Sequence, residues 1–465
     1  MILHRRGTIA TMLVVALAVS GCSTVSKLNP FKGKDEGPLE QAGEGQRISI
    51  IPADQRLEVA EALKGVEFSL PEATKMAEWP LPGGTPENAP GNVDAAPNLS
   101  IAWKRGFGAA SKRGRYVTAP PVAAGGKVFA MDGDGRVVAL DAQSGSTVWK
   151  VSTNPGDNKR DRLGFGGGVA YADGKLYVSS GHRQVLQLDA ATGKVGWRAK
   201  TGEPIHGAPT VAGGRVMAVA LDNTLVTFDE ASGTPGWTYT ALAESARILS
   251  ASSPAVSGET VVAAFGSGEL VAMRSANGND LWNEALSRAS RTSALSEIRD
   301  IPGRPVIYQG DVFAVSHSGV FSATDLRTGQ ARWSLPVIGV TSPWPAGDVV
   351  FVMSKAGELI CASRESGLIY WIRDLNEGVK AKKKGGVPLL GLGAKKISKP
   401  LWSGPLLANN RVIVVGQLGE LVAINAKTGA VEKRVNLGAP ALLSPIAMGD
   451  TIYVVTDEAQ LIALR

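Results

Sequence analysis

The strongest constraint on this chain is a repeat with fixed internal spacing. Taking Gly135 as its origin, Pro121 lies 14 residues earlier, and Asp141, Gly145 and Trp149 lie 6, 10 and 14 residues later. A spacing that recurs along a chain predicts architecture better than local propensity does, because each copy is one unit that must pack against the next. We therefore expect a repeat fold.

The same offsets return along the chain with a few substitutions. The origins of the other copies are Arg183, Asn223, Gly268, Gly319, Gly357, Gly419 and Ala459. The tryptophans that follow are Trp197, Trp237, Trp282, Trp333 and Trp371. Lys433 replaces the tryptophan in the copy at Gly419, and the last copy stops at Arg465 before its fourth strand.

Each copy has the pattern of four short strands. In the first copy, β-branched and alternating apolar residues occupy 121–123, 127–131, 136–141 and 147–151. Repeats of this length suit a blade of four antiparallel strands. No 3.6-residue apolar stripe persists, which excludes a helical solenoid. The sequence predicts an all-β fold, an eight-bladed β-propeller over residues 79–465.

An earlier segment supplies the strand that the last copy lacks. Residues 99–103, ending in Trp103, resemble an outermost strand. An N-terminal strand that completes the last blade removes two open sheet edges and joins the chain ends. We expect this strand to close the ring, and each repeat tryptophan to pack one blade onto the next.

Residues 1–21 have the form of a lipoprotein signal peptide. Two arginines precede an apolar stretch that is too short to span a membrane, and small residues lead into Cys22. Cys22 is therefore expected to carry a lipid. The alternative is a cleaved secretory signal followed by an incidental cysteine. By resemblance to bacterial lipoproteins, Ser23 in place of aspartate indicates sorting to the outer membrane.

Residues 22–78 are expected to form an N-terminal tether. The part up to residue 46 is polar and rich in glycine, whereas residues 47–70 look more structured, and whether they fold independently is left open. Cys361 is the only cysteine besides Cys22, so no disulfide is available within the mature chain. Stability must come from packing.

The basic character of the chain is local. The formal net charge of +7 falls by two when Arg5 and Arg6 leave with the signal peptide, and seven lysines lie in the loop 379–399 without an acid between them. This lysine loop is expected to bind anionic lipid head groups or an acidic partner, or else to be simply solvated. Nucleic acid is not expected, because the loop lacks aromatic side chains for stacking.

Few residues suggest chemistry. His182, His206 and His317 occupy unrelated repeat positions without ligands at metal-binding spacing, so no metal site is expected. The glycines at 164–168 lack the Gly-Lys-Ser/Thr sequence of a phosphate-binding loop. The repeat aspartates, such as Asp141, are expected to form turns. We predict no catalytic residue.

The repeat resembles that of the quinoprotein-like propellers, and Trp79, Gly83, Gly84 and Asn88 followed by Trp103 resemble their entry segment. With its signal peptide, single ring and lack of catalytic insertions, the chain resembles the BamB family within that superfamily. This resemblance implies a non-enzymatic, lipid-anchored scaffold that faces the periplasm from the outer membrane and uses no cofactor. It implies as partners the periplasmic domains of BamA, other Bam lipoproteins and nascent outer membrane proteins.

The rival interpretation is a periplasmic dehydrogenase that holds pyrroloquinoline quinone and calcium in its channel. Many such enzymes carry adjacent cysteines near the cofactor, and this chain has none. The chain is also short for that class.

The resemblance further implies a docking site for BamA. In the BamB family, two neighbouring inter-blade loops just ahead of the repeat proline make this contact, one with leucines and an arginine, the other acidic. The residues at these positions here are Arg247, Ile248 and Leu249 before Pro254, and Arg299, Asp300 and Ile301 before Pro305. The alternative is that Ile248 and Leu249 cap the blade core.

Overall fold

The computed structural model of the chain describes residues 57–154, 164–243, 252–287, 298–379 and 399–465. These residues form one short 3-10 turn at Glu61–Leu63 and strands β1 to β32, grouped in eight sheets of four. The signal peptide, Cys22, the loop at Arg247, Ile248 and Leu249, and nearly all of the lysine loop lie outside the described residues.

The strands follow the repeat in chain order. Strand β1 is Ile101–Gly106; blade 1 contains β2 (Val122–Ala124), β3 (Lys127–Met131), β4 (Arg136–Asp141) and β5 (Thr147–Ser152); blade 2 contains β6 (Gly167–Ala172), β7 (Lys175–Ser180), β8 (Gln184–Asp189) and β9 (Val195–Lys200). Blade 3 contains β10 (Thr210–Ala212), β11 (Arg215–Val219), β12 (Thr224–Asp229) and β13 (Pro235–Thr240); blade 4 contains β14 (Ala255–Ser257), β15 (Thr260–Ala264), β16 (Glu269–Arg274) and β17 (Asp280–Ala285).

The second half of the ring repeats this arrangement. Blade 5 contains β18 (Val306–Tyr308), β19 (Asp311–Val315), β20 (Phe321–Asp325) and β21 (Ala331–Leu335); blade 6 contains β22 (Trp344–Ala346), β23 (Val349–Met353), β24 (Glu358–Ser363) and β25 (Ile369–Asp374). Blade 7 contains β26 (Trp402–Ala408), β27 (Arg411–Gly416), β28 (Glu420–Asn425) and β29 (Val431–Asn436); blade 8 contains β30 (Ile446–Met448), β31 (Thr451–Val455) and β32 (Gln460–Leu464). The predicted eight-bladed β-propeller is confirmed.

The turn between the third and fourth strands explains the repeat aspartate. In blade 1, Asp141 Oδ1 accepts hydrogen bonds from the Ser144 backbone N–H at 2.8 Å and the Ser144 hydroxyl at 2.7 Å. These bonds hold the pKa of the Asp141 carboxyl below its usual value. Asp189, Asp229 and Asp325 make the same contacts in their own turns. The repeat aspartates are turn formers, as the sequence predicts.

The repeat tryptophan joins each blade to the next. Trp197 donates its indole N–H to the Glu230 carbonyl of blade 3 at 3.1 Å. Gly233 of blade 3 lies against the same indole, where an added Cβ would approach the ring carbons to 2.5 Å. The same indole-to-carbonyl bond is made by Trp149, Trp237, Trp282, Trp333 and Trp371.

Strand β1 closes the ring by pairing antiparallel with β32. Trp103 of β1 packs on Gly145 of blade 1 and so repeats the contact between blades. Its indole nitrogen lacks a hydrogen-bond partner, because Tyr453 donates its hydroxyl to the equivalent carbonyl, that of Ala142, at 3.0 Å. Between blades 7 and 8, Lys433 replaces the tryptophan and donates its ammonium to the Asn98 carbonyl at 2.6 Å.

Residues 79–96, here called the belt, run around the ring and contact the blades in chain order. Leu81 packs in one buried cluster with Val211 of blade 3. Backbone or indole hydrogen bonds join the belt to the other seven blades through Trp79–Ala123, Pro80–Tyr171, Pro86–Val256, Glu87–Ile307, Gly91–Trp344, Val93–Leu407 and Ala96–Asp450.

The belt closes one end of the central channel. Trp79, bonded to blade 1, stacks on Trp344 of blade 6 with ring centroids 6.4 Å apart and planes 16° apart. Blades 1 and 6 are not neighbours, so the two indoles meet across the channel. Both side chains are buried.

Residues 57–78 lie along the ring instead of standing apart from it. The Ala60 N–H donates to the Ile369 carbonyl of blade 6 at 2.9 Å, and Ser69 exchanges hydrogen bonds with Asp348. Farther along, Glu78 accepts a hydrogen bond from the Gly125 N–H of blade 1 at 3.1 Å. The described part of the predicted tether is therefore docked on the propeller.

The ring has two different faces. Thr153, after the fourth strand of blade 1, donates its N–H to the carbonyl of Gly135 at 3.1 Å, so the inter-blade connections share a face with the second-to-third-strand turns. We call this the loop face and the opposite one, which carries the belt, the belt face. The sequence predicts this division. Within the described ranges, no helix combines the length and apolar character that crossing a membrane requires.

Candidate docking surface

Four exposed side chains lie in series on the loop face of blades 3 to 6. We define the docking strip as Leu242, Arg299, Ile338 and Lys355. Leu242 is 67% exposed and Ile338 is 48% exposed, which is unusual for large apolar side chains in a ring whose other aliphatic residues are mostly buried. Each member is held in place by contacts with a neighbouring blade.

Leu242 leaves the outermost strand of blade 3 and is held by its backbone. Its N–H donates to Glu269 Oε2 of blade 4 at 2.7 Å, and its carbonyl accepts from the Asn223 amide at 2.6 Å. Burial alone would raise the pKa of Glu269, but hydrogen bonds from Asn283, Ser267 and the Leu242 N–H together lower it below the usual value. Glu269 therefore stays ionised and fixes the backbone that exposes the leucine.

Arg299 crosses the same turn of blade 4. An added Cβ on Gly268 would lie 2.8 Å from the Arg299 carbonyl oxygen, and Gly268 has φ +84°. A glycine is required here, because a side chain would need both a left-handed backbone and space that Arg299 occupies. The Arg299 side chain itself is exposed.

The two residues after Arg299 point inward. Asp300 is 1% exposed, and Ile301 is fully buried in the core between blades 4 and 5. The Ile301 N–H donates to Phe265, while the Asp300 carbonyl accepts from the His317 N–H at 2.9 Å. Of the three predicted docking residues in this loop, Arg299 alone offers its side chain to a partner, and the other two support the loop.

The strip continues into blades 5 and 6. Ile338 lies over Gly319, and its carbonyl accepts a hydrogen bond from the Lys355 N–H at 2.7 Å. The Lys355 ammonium lies 2.7 Å from His317 Nε2. Burial lowers the pKa of His317, and the positive charge of Lys355 lowers it further. His317 is therefore neutral and accepts from Lys355, which holds the ammonium at the surface.

This arrangement suits protein binding better than catalysis. Two apolar side chains alternate with two cations, while Glu269 and Asp300, the acids beside them, are buried. Apolar residues supply the buried anchors of an interface, and arginine or lysine fixes orientation through charged hydrogen bonds to carboxylates. The strip would fit a partner surface that combines apolar side chains with acids.

Sequence reasoning missed three members of the strip. Leu242, Ile338 and Lys355 do not directly precede a repeat proline, and only that position was considered. For Leu242 and Ile338 a signal existed in the sequence: each is a large apolar residue within a few positions after an outermost strand, where the first apolar residue has already filled the core. Ala241 and Val337 are those buried residues.

The channel does not fit the quinone and calcium of the rival interpretation. Among the residues that the structure describes, no group of three or more His, Cys, Asp or Glu could hold a metal ion. Cys361, the single cysteine in these ranges, is fully buried in a sheet. The adjacent cysteine pair of many such enzymes has no counterpart.

Several known structures share the fold. BamB from Moraxella catarrhalis superimposes with a TM-score of 0.63 at 16% identity, covering 78% of this chain and 99% of that one. A quinohemoprotein alcohol dehydrogenase from Comamonas testosteroni gives a TM-score of 0.63 at 14% identity, covering 84% of this chain and 81% of that one. Such identities establish the propeller alone, and both scaffold and enzyme use it.

Sequence comparison separates the two classes. An outer membrane protein assembly factor BamB from Alkalilimnicola ehrlichii is 28% identical over 78% of this chain and 87% of its own length. The corresponding protein from Yersinia pestis is 24% identical over 72% of this chain and 81% of its own length. The family described as outer membrane protein assembly factor BamB matches residues 133–373 and 385–465. The chain therefore belongs to the BamB family.

Proposed function

We propose that this protein is a lipid-anchored scaffold of the outer-membrane β-barrel assembly complex, which docks on the periplasmic domains of BamA through its loop face. The observation that carries the proposal is the docking strip, where rigidly held apolar and cationic side chains stay exposed. The predicted lipid on Cys22 would hold the ring at the outer membrane, facing the periplasm, within reach of BamA, other Bam lipoproteins and nascent outer membrane proteins.

The proposed activity involves no chemistry. Curated relatives are named as assembly factors, and the described residues offer neither a metal-binding cluster nor paired cysteines. Binding energy instead comes from burying the strip against a partner. Oxidation of alcohols or sugars by the protein reconstituted with pyrroloquinoline quinone and calcium would contradict this part.

Co-purification with BamA tests the docking site. The double variant Leu242→Ser with Arg299→Glu should bind BamA at least about tenfold more weakly, since hot-spot residues each contribute roughly 2 kcal/mol or more. The matched control is Leu368→Ser with Arg327→Glu, which makes the same changes at exposed residues on the belt face. Equal binding by the two double variants would place the site elsewhere.

The second predicted loop is tested separately. Arg247, Ile248 and Leu249 lie outside the described residues, and their role in docking remains a prediction from the family resemblance. A variant with Arg247→Glu and Leu249→Ser should weaken BamA binding as the strip variant does. Asp300 is left unchanged in these tests, because its burial would mix a folding defect with a binding defect.

A further inference from the structure

The residue just ahead of each innermost strand lies in a ring around the channel, here called the inner ring. Neighbours in this ring touch: Ser253 Oγ donates to the Ala208 carbonyl at 2.8 Å, and the Arg304 N–H donates to Ser342 Oγ at 2.9 Å. The eight positions, all within the described residues, are Pro120, Gly168, Ala208, Ser253, Arg304, Ser342, Gly404 and Ser444. Seven are small and none is acidic, so Arg304 is the exception.

Arg304 has no counter-charge. Its Nε is out of contact with solvent and has no hydrogen-bond partner. No ion pair or side-chain hydrogen bond to any described residue involves its guanidinium, which carries five donors. Burial lowers the pKa of Arg304 to about 10, still far above neutral pH, so the side chain remains a cation. An uncompensated buried charge destabilises a fold, which suggests that something supplies the missing anion.

Two hydroxyl groups lie beside this cation. Ser342 accepts the backbone N–H of Arg304, which leaves the hydroxyl hydrogen of Ser342 free to donate. Thr341 Oγ1 is buried and lacks a hydrogen-bond partner. The Thr341 carbonyl lies so close to Gly303 that an added Cβ there would be 2.7 Å away. A guanidinium and two hydroxyl donors therefore converge at one place.

Access to this place comes from the loop face. Trp344, two residues after Ser342, stacks with Trp79 and closes the channel toward the belt face. We propose that Arg304, with Thr341 and Ser342, binds the carboxylate or phosphate group of a small soluble molecule. The planar guanidinium donates two parallel hydrogen bonds to such an oxyanion, and the hydroxyls complete its coordination. The site is independent of docking on BamA.

Calorimetric titration of the purified full chain with citrate and, separately, with inorganic phosphate at constant ionic strength tests this proposal. We expect saturable binding of one anion per chain by at least one of the two, and a rise in Tm with the anion that binds. The better probe identifies the source of the oxyanion. Selenate soaked into crystals should give an anomalous peak beside Arg304.

Variants of Arg304 separate a ligand site from a structural arginine. Arg304→Met should abolish binding and, without anion, melt at or above the parent temperature, because an unpaired buried charge has been removed. Arg304→Lys keeps the charge without the planar fork and should bind about tenfold more weakly. Arg299→Met, on the surface nearby, should bind as the parent does. Failure of both probes to bind, or equal binding by parent and Arg304→Met, would overturn the proposal.

Discussion

One glycine per repeat serves two neighbouring blades at once. Gly233 ends the turn of blade 3 with φ +71° and receives the indole of Trp197 from blade 2 on its Cα. A side chain would strain the backbone and displace the tryptophan. This explains why glycine and tryptophan recur together at fixed offsets: the sequence spacing records a contact between successive blades.

Gly233→Ala should therefore destabilise the ring more than the backbone strain alone. The matched control is Gly214→Ala in the same blade, where φ is +74° and no atom lies within 4 Å of the added Cβ. We expect about 1 kcal/mol for Gly214→Ala and roughly 2 kcal/mol more for Gly233→Ala, which must also move an indole. Urea denaturation measures both, and equal midpoints would show that the tryptophan contact carries no weight.

The turn carboxylates make stability depend on pH. Side-chain hydrogen bonds from Ser144, Thr192, Ser232 and Thr328 lower the pKa of Asp141, Asp189, Asp229 and Asp325, respectively. A group whose pKa is lowered by folding stabilises the protein above its unfolded pKa, about 3.9, and loses that contribution as pH falls through its folded pKa. In blade 7, Asn425 accepts the same backbone hydrogen bonds without titrating.

Replacing the four aspartates by asparagine should flatten the acid limb of the Tm against pH curve. Near neutral pH the variant is expected to melt at or below the parent temperature, and the difference should shrink below about pH 4. Asn425→Asp adds a fifth titrating turn and should make the acid limb steeper. Parallel curves for parent and variants would exclude these turns as the source of acid sensitivity.

At the scale of elements, the repeat predicted what recurs and missed what does not. Blade number, strand order and closure by β1 follow from offsets that the sequence displays. The belt has no internal repeat, since it meets a different blade every few residues, and its prolines predict only an extended path. Its course depends on contacts with residues as distant as Leu407, which no local pattern encodes.

The candidate site shows the same division. The position of the Arg299 loop on the loop face follows from the repeat. The inward orientation of Asp300 and Ile301 depends on the Phe265 carbonyl of blade 4 and on His317 of blade 5. Sequence spacing places a loop on a face but does not determine which side chains of that loop reach solvent.

Truncation tests the contribution of the belt. A chain that starts at Asn98 keeps β1 but loses the belt, including Trp79, Leu81 and Val93, which are 1%, 3% and 0% exposed. We expect it to lose about 5 kcal/mol or more, since a buried tryptophan alone contributes roughly 3 kcal/mol or more. A chain that starts at Glu78 keeps the belt and should melt close to the parent. Equal melting of both truncated chains would show that the belt only covers the ring.

For the whole molecule, the belt face and the loop face have different neighbours. The chain reaches the propeller along blade 6 and continues into the belt, whereas the docking strip and the access to Arg304 lie on the loop face. An anchor at Cys22 would therefore pull on the ring by a segment that leaves the docking strip uncovered. Membrane attachment and partner binding are then compatible in a single protein.

Cys22→Ala tests this attachment. A lipoprotein signal peptidase cleaves only ahead of a lipid-bearing cysteine, so the variant should remain an uncleaved precursor in the inner membrane and fail to incorporate a labelled fatty acid. Cys361→Ala is the control, because Cys361 is fully buried and burial raises the pKa of its thiol, leaving it unreactive. This variant should be processed, labelled and fractionated with outer membranes. A Cys22→Ala protein that is cleaved and released in soluble form would instead support a secretory signal with an incidental cysteine.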